Sequence, residues 1–207
     1  MTREAFLKNL PELAKNYQPA PEVLKKIKSI TLLMVIGPSG VGKTTLINKL
    51  GLDFVPSDTT RKPREDERHG IDMYFLTDYQ QVASDIHSGR FVQVAIGPGG
   101  DFYATRDSSY PDSGTAVLPV VTDVVPIFRH LGFSKTISAF IVPPTYDEWM
   151  RRMSSHKLQG EQLDKRLAEA ERSLAFARSD KQMHFILNDD VEPAVSQLKG
   201  LTGGNIY

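Results

Sequence analysis

The amino-acid sequence predicts an α/β protein: a parallel sheet core flanked by helices, wound around a glycine-rich loop. Three observations carry that expectation. Apolar runs of strand length alternate with longer amphipathic stretches, the pattern of parallel strands joined by helical crossovers. One run, ITLLMVI at 30–36, passes straight into the glycine loop GPSGVGKT at 37–44. The segment after that loop sets Leu46, Ile47 and Leu50 on one helical face.

Phe6, Leu7, Leu10 and Leu13 share a helical face at the start of the chain. Pro11 is expected to kink or split that helix, because it lacks an N–H and its ring crowds the carbonyl four residues back. Pro19 and Pro21 read as a linker. Residues 1–28 are thus a helical extension packed on the domain, with a partner-docking helix as the sharper alternative. The loop helix is expected to end near Leu50, and Pro56 to Gly70 is a polar, charged loop. Residues 78–88, 145–154 and 161–179 read as helices. FVQVAI (91–96), TAVLPVV (115–121), TISAFIV (136–142) and MHFIL (183–187) read as strands. Phe91 to Tyr103, with GPGG between, suits a hairpin in a smaller insert.

Composition excludes more than it suggests. Lys plus Arg and Asp plus Glu both number 25, so no global field points to nucleic acid or membrane. Cysteine is absent, which removes disulfides and thiolate metal sites. The first residues are too charged for a secretory signal, and the longest apolar run is far short of a membrane span. A cytoplasmic protein is expected.

Gly37-Pro38-Ser39-Gly40-Val41-Gly42-Lys43-Thr44 fits G-x-x-x-x-G-K-[ST]. The glycines let backbone N–H groups turn inward around phosphate oxygens, and the helix N-terminus adds partial positive charge. Lys43 would reach the β- and γ-phosphates and the Thr44 hydroxyl would ligate Mg²⁺. A plain glycine turn does not require Lys-Thr after its last glycine. Further on, Arg61, Lys62 and Arg64 lie within four residues, just after Ser57, Thr59 and Thr60. Two guanidinium forks and nearby hydroxyls suit a phosphate monoester. Alone, such a run is a solvated loop; a short helix after a phosphate loop, it stands where a kinase needs a second phosphate site.

With these residues in view, the chain resembles the guanylate kinase family. GPSGVGKTTL, TTRKPR, HGID-x-YF, FYAT, IVPP, KRLAEAE and ILNDD occur in that family's order, over about residues 30 to 199. The resemblance implies a P-loop kinase domain over 29–207. It implies a small insert for the nucleoside monophosphate at about 57–112, with antiparallel strands, and a helical lid at about 154–162. It implies transfer of the γ-phosphoryl of ATP to GMP with Mg²⁺. The ATP site would then run from Gly37 to Thr45, with Gly40, Gly42, Lys43 and Thr44 on the phosphates and metal and Asn188 on the adenine side. Ser57, Arg61 and Arg64 would hold the acceptor phosphate, aided by Tyr103. Arg166 would stabilise the transferring phosphoryl. The plainer readings are a helix-surface ion pair for Arg166 and a core or hairpin aromatic for Tyr103.

The chain departs from the family where the base is read. A carboxylate is usual in a segment like F-I-E-x-A; here the segment is Phe91-Val92-Gln93-Val94-Ala95. The usual Asp-x-Asp is missing from Val117-Leu118-Pro119-Val120-Val121-Thr122-Asp123. Met73 stands where a tyrosine is usual and Tyr74 follows, and the usual lid arginine is replaced by His156 or Lys157. Gln93, Thr122 and Tyr74 are therefore the candidate acceptor contacts, with Asp123 as an alternative after a register shift. Exchanging a charged hydrogen bond for a neutral one costs on the order of tenfold in guanine affinity. The expected function is an ATP-dependent nucleoside monophosphate kinase with GMP as the default acceptor. A P-loop kinase for another phosphorylated acceptor and a phosphopeptide-binding interaction module are the alternatives. The partners expected are ATP and the monophosphate, with no nucleic acid or membrane; monomer or dimer is left open.

Overall fold

The computed structural model describes residues 1–65, 67–97, 99–154 and 160–203. Helices α1 (Arg3–Lys15) and α2 (Pro21–Ile27) come first. Strand β1 (Ile30–Ile36) leads through the glycine loop into α3 (Lys43–Leu50). Three short strands follow, β2 (Asp53–Phe54), β3 (Ser57–Thr59) and β4 (Met73–Phe75). Helix α4 (Tyr79–His87) precedes the hairpin β5 (Phe91–Ile96) and β6 (Phe102–Arg106). The chain continues through β7 (Gly114–Pro119), α5 (Val125–His130), β8 (Lys135–Val142) and α6 (Tyr146–Ser154). It ends with α7 (Glu161–Ser179), β9 (Met183–Leu187) and α8 (Val191–Leu201). These elements fall into two compact units, one of residues 31–53, 115–126 and 135–207, the other of 1–30, 54–114 and 127–134.

The first unit is built on the larger sheet, whose strand order is β2-β7-β1-β8-β9. β1 runs parallel to β8, setting Leu33 beside Ile137 and Val35 beside Ala139, and β8 runs parallel to β9. β1 is apolar at almost every position because it is covered on both faces, as parallel strands are. Leu46, Ile47 and Leu50 of α3 pack into the same core as Leu33, Val35 and Ile141. The loop between β1 and α3 is thus anchored at both ends in one apolar core.

The second unit carries a four-stranded sheet in the order β4-β3-β6-β5. It is mixed: β3 is parallel to β4, while β6 is antiparallel to both β3 and β5. Alternation along the strands sorts its side chains. Ser57, Thr59, Met73, Phe75, Gln93, Tyr103 and Thr105 share one face by register. The opposite face presents Phe91, Val94, Phe102 and Ala104 to Phe6, Leu10, Val82 and Ile86. A bulge between Phe91 and Gln93 separates these two residues onto different faces. The Tyr17 hydroxyl pins that bulge, accepting from the Phe91 N–H at 2.8 Å and donating to its carbonyl.

Two readings of the first residues are corrected. Pro11 lies inside one continuous helix, Arg3–Lys15. Proline in a helix interior costs about 3 kcal/mol, but Phe6 and Leu10 are fully buried and each such burial stabilises by about 1.5–3 kcal/mol. Pro11 itself faces solvent. Pro21 is not linker but the first residue of α2, where its fixed φ and missing N–H cost nothing. Among the described residues no helix is long and apolar enough to cross a membrane. The expected lid core, with His156 and Lys157, lies outside the described residues.

Candidate active site

The glycine loop has the backbone that phosphate binding requires. Gly37, Gly40 and Gly42 have φ of 143°, 78° and 93°, which L side chains rarely adopt. Space forbids substitution as well. A Cβ on Gly42 would meet Asn188 Nδ2 at 2.5 Å, and one on Gly37 would meet the Ile141 carbonyl at 2.7 Å. The loop is buttressed from α6 and from the end of β9. Trp149 Nε1 donates to the Ser39 carbonyl at 2.8 Å, and Asn188 Nδ2 donates to the Val41 carbonyl at 2.7 Å. Arg152 in turn donates to the Asn188 carbonyl at 3.1 Å.

Gly42 caps α3, so Lys43, Thr44 and Thr45 form its first turn. Lys43 Nζ folds back into the loop and donates to the carbonyls of Gly37 and Pro38 at 2.7 and 2.8 Å. Burial pushes its ammonium down to about 8; Glu169 opposes that fall and Arg166 adds to it. Both of those residues stand on α7, where Arg166 donates to the Glu169 carboxylate at 2.8 Å. Arg166 therefore sits in the surface ion pair of its plainer reading, close enough to Lys43 for the two charges to interact. The turn Thr122–Val124 also lies against α7, with Thr122 buried and Asp123 exposed. Mg²⁺ takes most of its ligands from water and substrate phosphates, and the exposed Thr44 hydroxyl in the first turn of α3 has the chemistry to join them.

Of the acceptor candidates, Ser57, Gln93 and Tyr103 share the polar face of the smaller sheet, and Arg61 bonds to it through Tyr103. Arg61 uses all five of its N–H donors. They go to the Tyr103 hydroxyl at 3.0 Å, the Lys62 carbonyl, both oxygens of Glu67 at 2.8 Å and Met73 Sδ at 3.2 Å. The Glu67 pair above all, with Tyr103, raises the Arg61 pKa despite burial. Burial acts to raise the Glu67 pKa, but Arg61 and the Arg64 backbone N–H hold the carboxylate below its usual range. Tyr103 is positioned by a close approach: a Cβ on Gly97 would lie 2.3 Å from its ring. Arg64 is different, its side chain 63% exposed and its guanidinium 3.9 Å from Glu67.

Several expectations for this face change. The Thr59 hydroxyl donates to the Phe102 carbonyl and accepts from the Arg61 N–H, while Thr60 accepts from the Phe102 N–H. These two hydroxyls shape the turn and leave Ser57 as the one open to a ligand in Ser57–Thr60. Tyr74, a candidate acceptor contact, does not share this face. Strand alternation puts it on the other face, under the Arg106 guanidinium at 5.9 Å, where Arg106 pairs with buried Asp58. Met73 takes the inward position. Asn188, expected on the adenine side, is 3% exposed and donates its amide nitrogen to the glycine loop at the Val41 carbonyl. Gln93 is buried on the polar face, and its Oε1 has no hydrogen-bond partner.

The sequence reading passed over Glu67, Trp149, Glu169 and the Thr105–Tyr110 pair. A carboxylate three residues after Arg64 was a visible signal for Glu67, and a single tryptophan was one for Trp149. Thr105 and Glu169 lie in the quoted segments FYAT and KRLAEAE, which was their one signal, and nothing local marks Tyr110.

A glycine loop between a buried parallel strand and a helix, with lysine and threonine at the helix start, defines a P-loop nucleotide-binding protein. The comparisons narrow the class. The sequence model of the guanylate kinase family, "Guanylate kinase", matches residues 29–202. A guanylate kinase of Bacteroides fragilis is 34% identical over 175 residues, covering 79% of this chain and 83% of the relative. One from Corynebacterium diphtheriae is 31% identical over 183 residues, covering 84% and 94%. The crystal structure of guanylate kinase from Anaplasma phagocytophilum superposes with a TM-score of 0.61 over 86% of each chain, at 21% identity, and so supports the fold. The chain belongs to the guanylate kinase family, a family of nucleoside monophosphate kinases.

Proposed function

We propose that this protein transfers the γ-phosphoryl group of ATP to GMP, giving GDP and ADP. The carrying observation is the intact glycine loop with Lys43 held at its throat by the Gly37 and Pro38 carbonyls. Incoming β- and γ-phosphate oxygens offer Lys43 better acceptors than those carbonyls, because the bond becomes charge-assisted on both sides. Gly40, Gly42 and Thr45 present backbone N–H groups to the same phosphates, with Gly37, Pro38, Ser39 and Val41 shaping the loop. Thr44 would hold Mg²⁺, which when bound neutralises phosphate charge.

A phosphate oxygen of the acceptor forms the new bond to the γ-phosphorus as the bond to the ADP oxygen breaks. Arg166 leaves Glu169 to stabilise charge on the transferring group, since such transfer asks chiefly for alignment and positive charge. Ser57, Arg61, Arg64 and Tyr103 hold the acceptor phosphate. Gln93 reads the base, and the support for this is its buried, unpartnered Oε1. Thr122 and Asp123, against α7, serve the phosphate side rather than the base. The test is ATP·Mg²⁺ with GMP and the full chain, following GDP by chromatography. Formation of GDP and ADP in equal amounts is expected; ATP binding with no GDP formed would remove the GMP kinase reading.

A further inference from the structure

We infer that the acceptor site takes 6-oxopurine nucleoside monophosphates in general, with no requirement for the 2-amino group that distinguishes guanine. This rests on the proposed acceptor role of the polar face. Gln93 and Thr105 are register partners across β5 and β6, so their side chains leave the sheet on the same face. Each carries an unmet hydrogen-bonding capacity. Gln93 is 6% exposed and its Oε1 accepts nothing. Thr105 is fully buried, with its hydroxyl 2.9 Å from the Tyr110 hydroxyl, itself buried. Burial pushes the Tyr110 phenol above its ordinary pKa, so it keeps its proton. Two hydroxyls have two protons, and one bond between them uses one. The pair therefore retains one O–H to give, beside an amide oxygen with nothing to accept.

An open acceptor next to an open donor complements a lactam, the N1–H and C6=O of a 6-oxopurine. N1–H donates to Gln93 Oε1, and O6 accepts from the hydroxyl pair. A carboxylate in place of Gln93 would present two acceptors and so require two donors, N1–H and the 2-amino group. The amide presents one acceptor, and the second donor is no longer demanded. A buried site discriminates by the partners it leaves unpaired, and here the absence of a 2-amino group leaves none.

The experiment uses the full chain with ATP·Mg²⁺ and three acceptors, GMP, inosine monophosphate and AMP, measuring kcat/KM for each. Inosine monophosphate is expected within about threefold of GMP, and AMP about a hundredfold or more below both. Gln93→Glu is expected to raise the GMP to inosine monophosphate ratio by about tenfold by restoring the demand for two donors. Thr105→Val is expected to lower both 6-oxopurines together. A wild-type GMP preference of tenfold or more overturns the inference and leaves the GMP kinase reading standing. AMP used as well as inosine monophosphate overturns it too, since the amide would then face the opposite way. Phosphorylation of none of the three removes both. If Gln93→Glu does not fold, the wild-type ratios alone decide.

Discussion

The glycine loop and the arginine cradle keep their positive groups in opposite ways. Lys43 is held by two backbone carbonyls, which are dipoles without net charge. Arg61 is held by a full carboxylate, in a two-pronged pair with Glu67. The first arrangement leaves a charge short of partners, and its protonation is correspondingly soft, near pH 8. The second satisfies the charge completely and fixes it. The lysine is thus open to a stronger acceptor and sensitive to pH, whereas Arg61 is already neutralised, and the acceptor phosphate proposed for it would have to displace or join Glu67. Lysine suits the first task because burial shifts its pKa; arginine suits the second because nothing removes its charge.

The sharpest way to break this comparison is to remove each cation. Lys43→Ala should lower kcat by about two to three orders of magnitude, the range for losing one donor aimed at developing charge, with a much smaller change in ADP affinity. Equal losses in both would mean that Lys43 binds the ground state only. Arg61→Ala should raise the acceptor KM by about a hundredfold, because it also leaves half-buried Glu67 unpaired and repelling phosphate. Arg64→Ala, with its exposed side chain, should raise it by about tenfold. ATP affinity should stay unchanged in both, and a reversed order of the two KM values contradicts the cradle described here. Arg166→Ala should lower kcat by about a hundredfold with nucleotide affinities intact; an unchanged single-turnover rate would leave Arg166 as a surface ion pair.

Smaller effects sharpen the contrast. Glu67→Gln removes the internal competitor for Arg61. The acceptor KM should fall several-fold while Tm drops by a few degrees, about what a loss near 1 kcal/mol produces. A rise in KM would show that Glu67 positions Arg61 rather than competing for it. The pH response is the gentlest. Lys43 has a folded value near 8, against the 10.5 ordinary for a lysine. Across that window the unfolded chain holds more protons than the folded one, so stability rises with pH there. ATP affinity runs the other way, since binding needs the ammonium: calorimetry should find it about tenfold weaker at pH 9 than at pH 7. Affinity flat across that range would place the Lys43 pKa well above 8.

How much of this was legible in the sequence depends on the range of the interaction. The strands at 91–96 and 183–187 and the helix at 161–179 stand in the structure with the bounds that periodicity gave them. The glycine loop with its lysine at the helix start could be read from spacing, because a turn between a buried strand and a helix is a local arrangement of backbone and a few side chains. What escaped was set by partners far along the chain. The Thr59 hydroxyl is tied to a carbonyl 43 residues away, and the Asn188 amide nitrogen to one 147 residues away.

By itself, then, the sequence determined the alternation of strands and helices, the glycine loop and the family. Each of these rests on residues near one another in the chain, where period and spacing carry the physics. Only the tertiary structure decided that Met73 rather than Tyr74 turns toward Arg61, since a one-residue difference in register exchanges the faces of a strand. It alone decided that α1 stays whole through Pro11, because the burial of Phe6 and Leu10 outweighs the local cost. And it alone left the Gln93 oxygen without a donor. Whether a buried polar atom is satisfied depends on everything that surrounds it, and that is assembled only when the sheet forms.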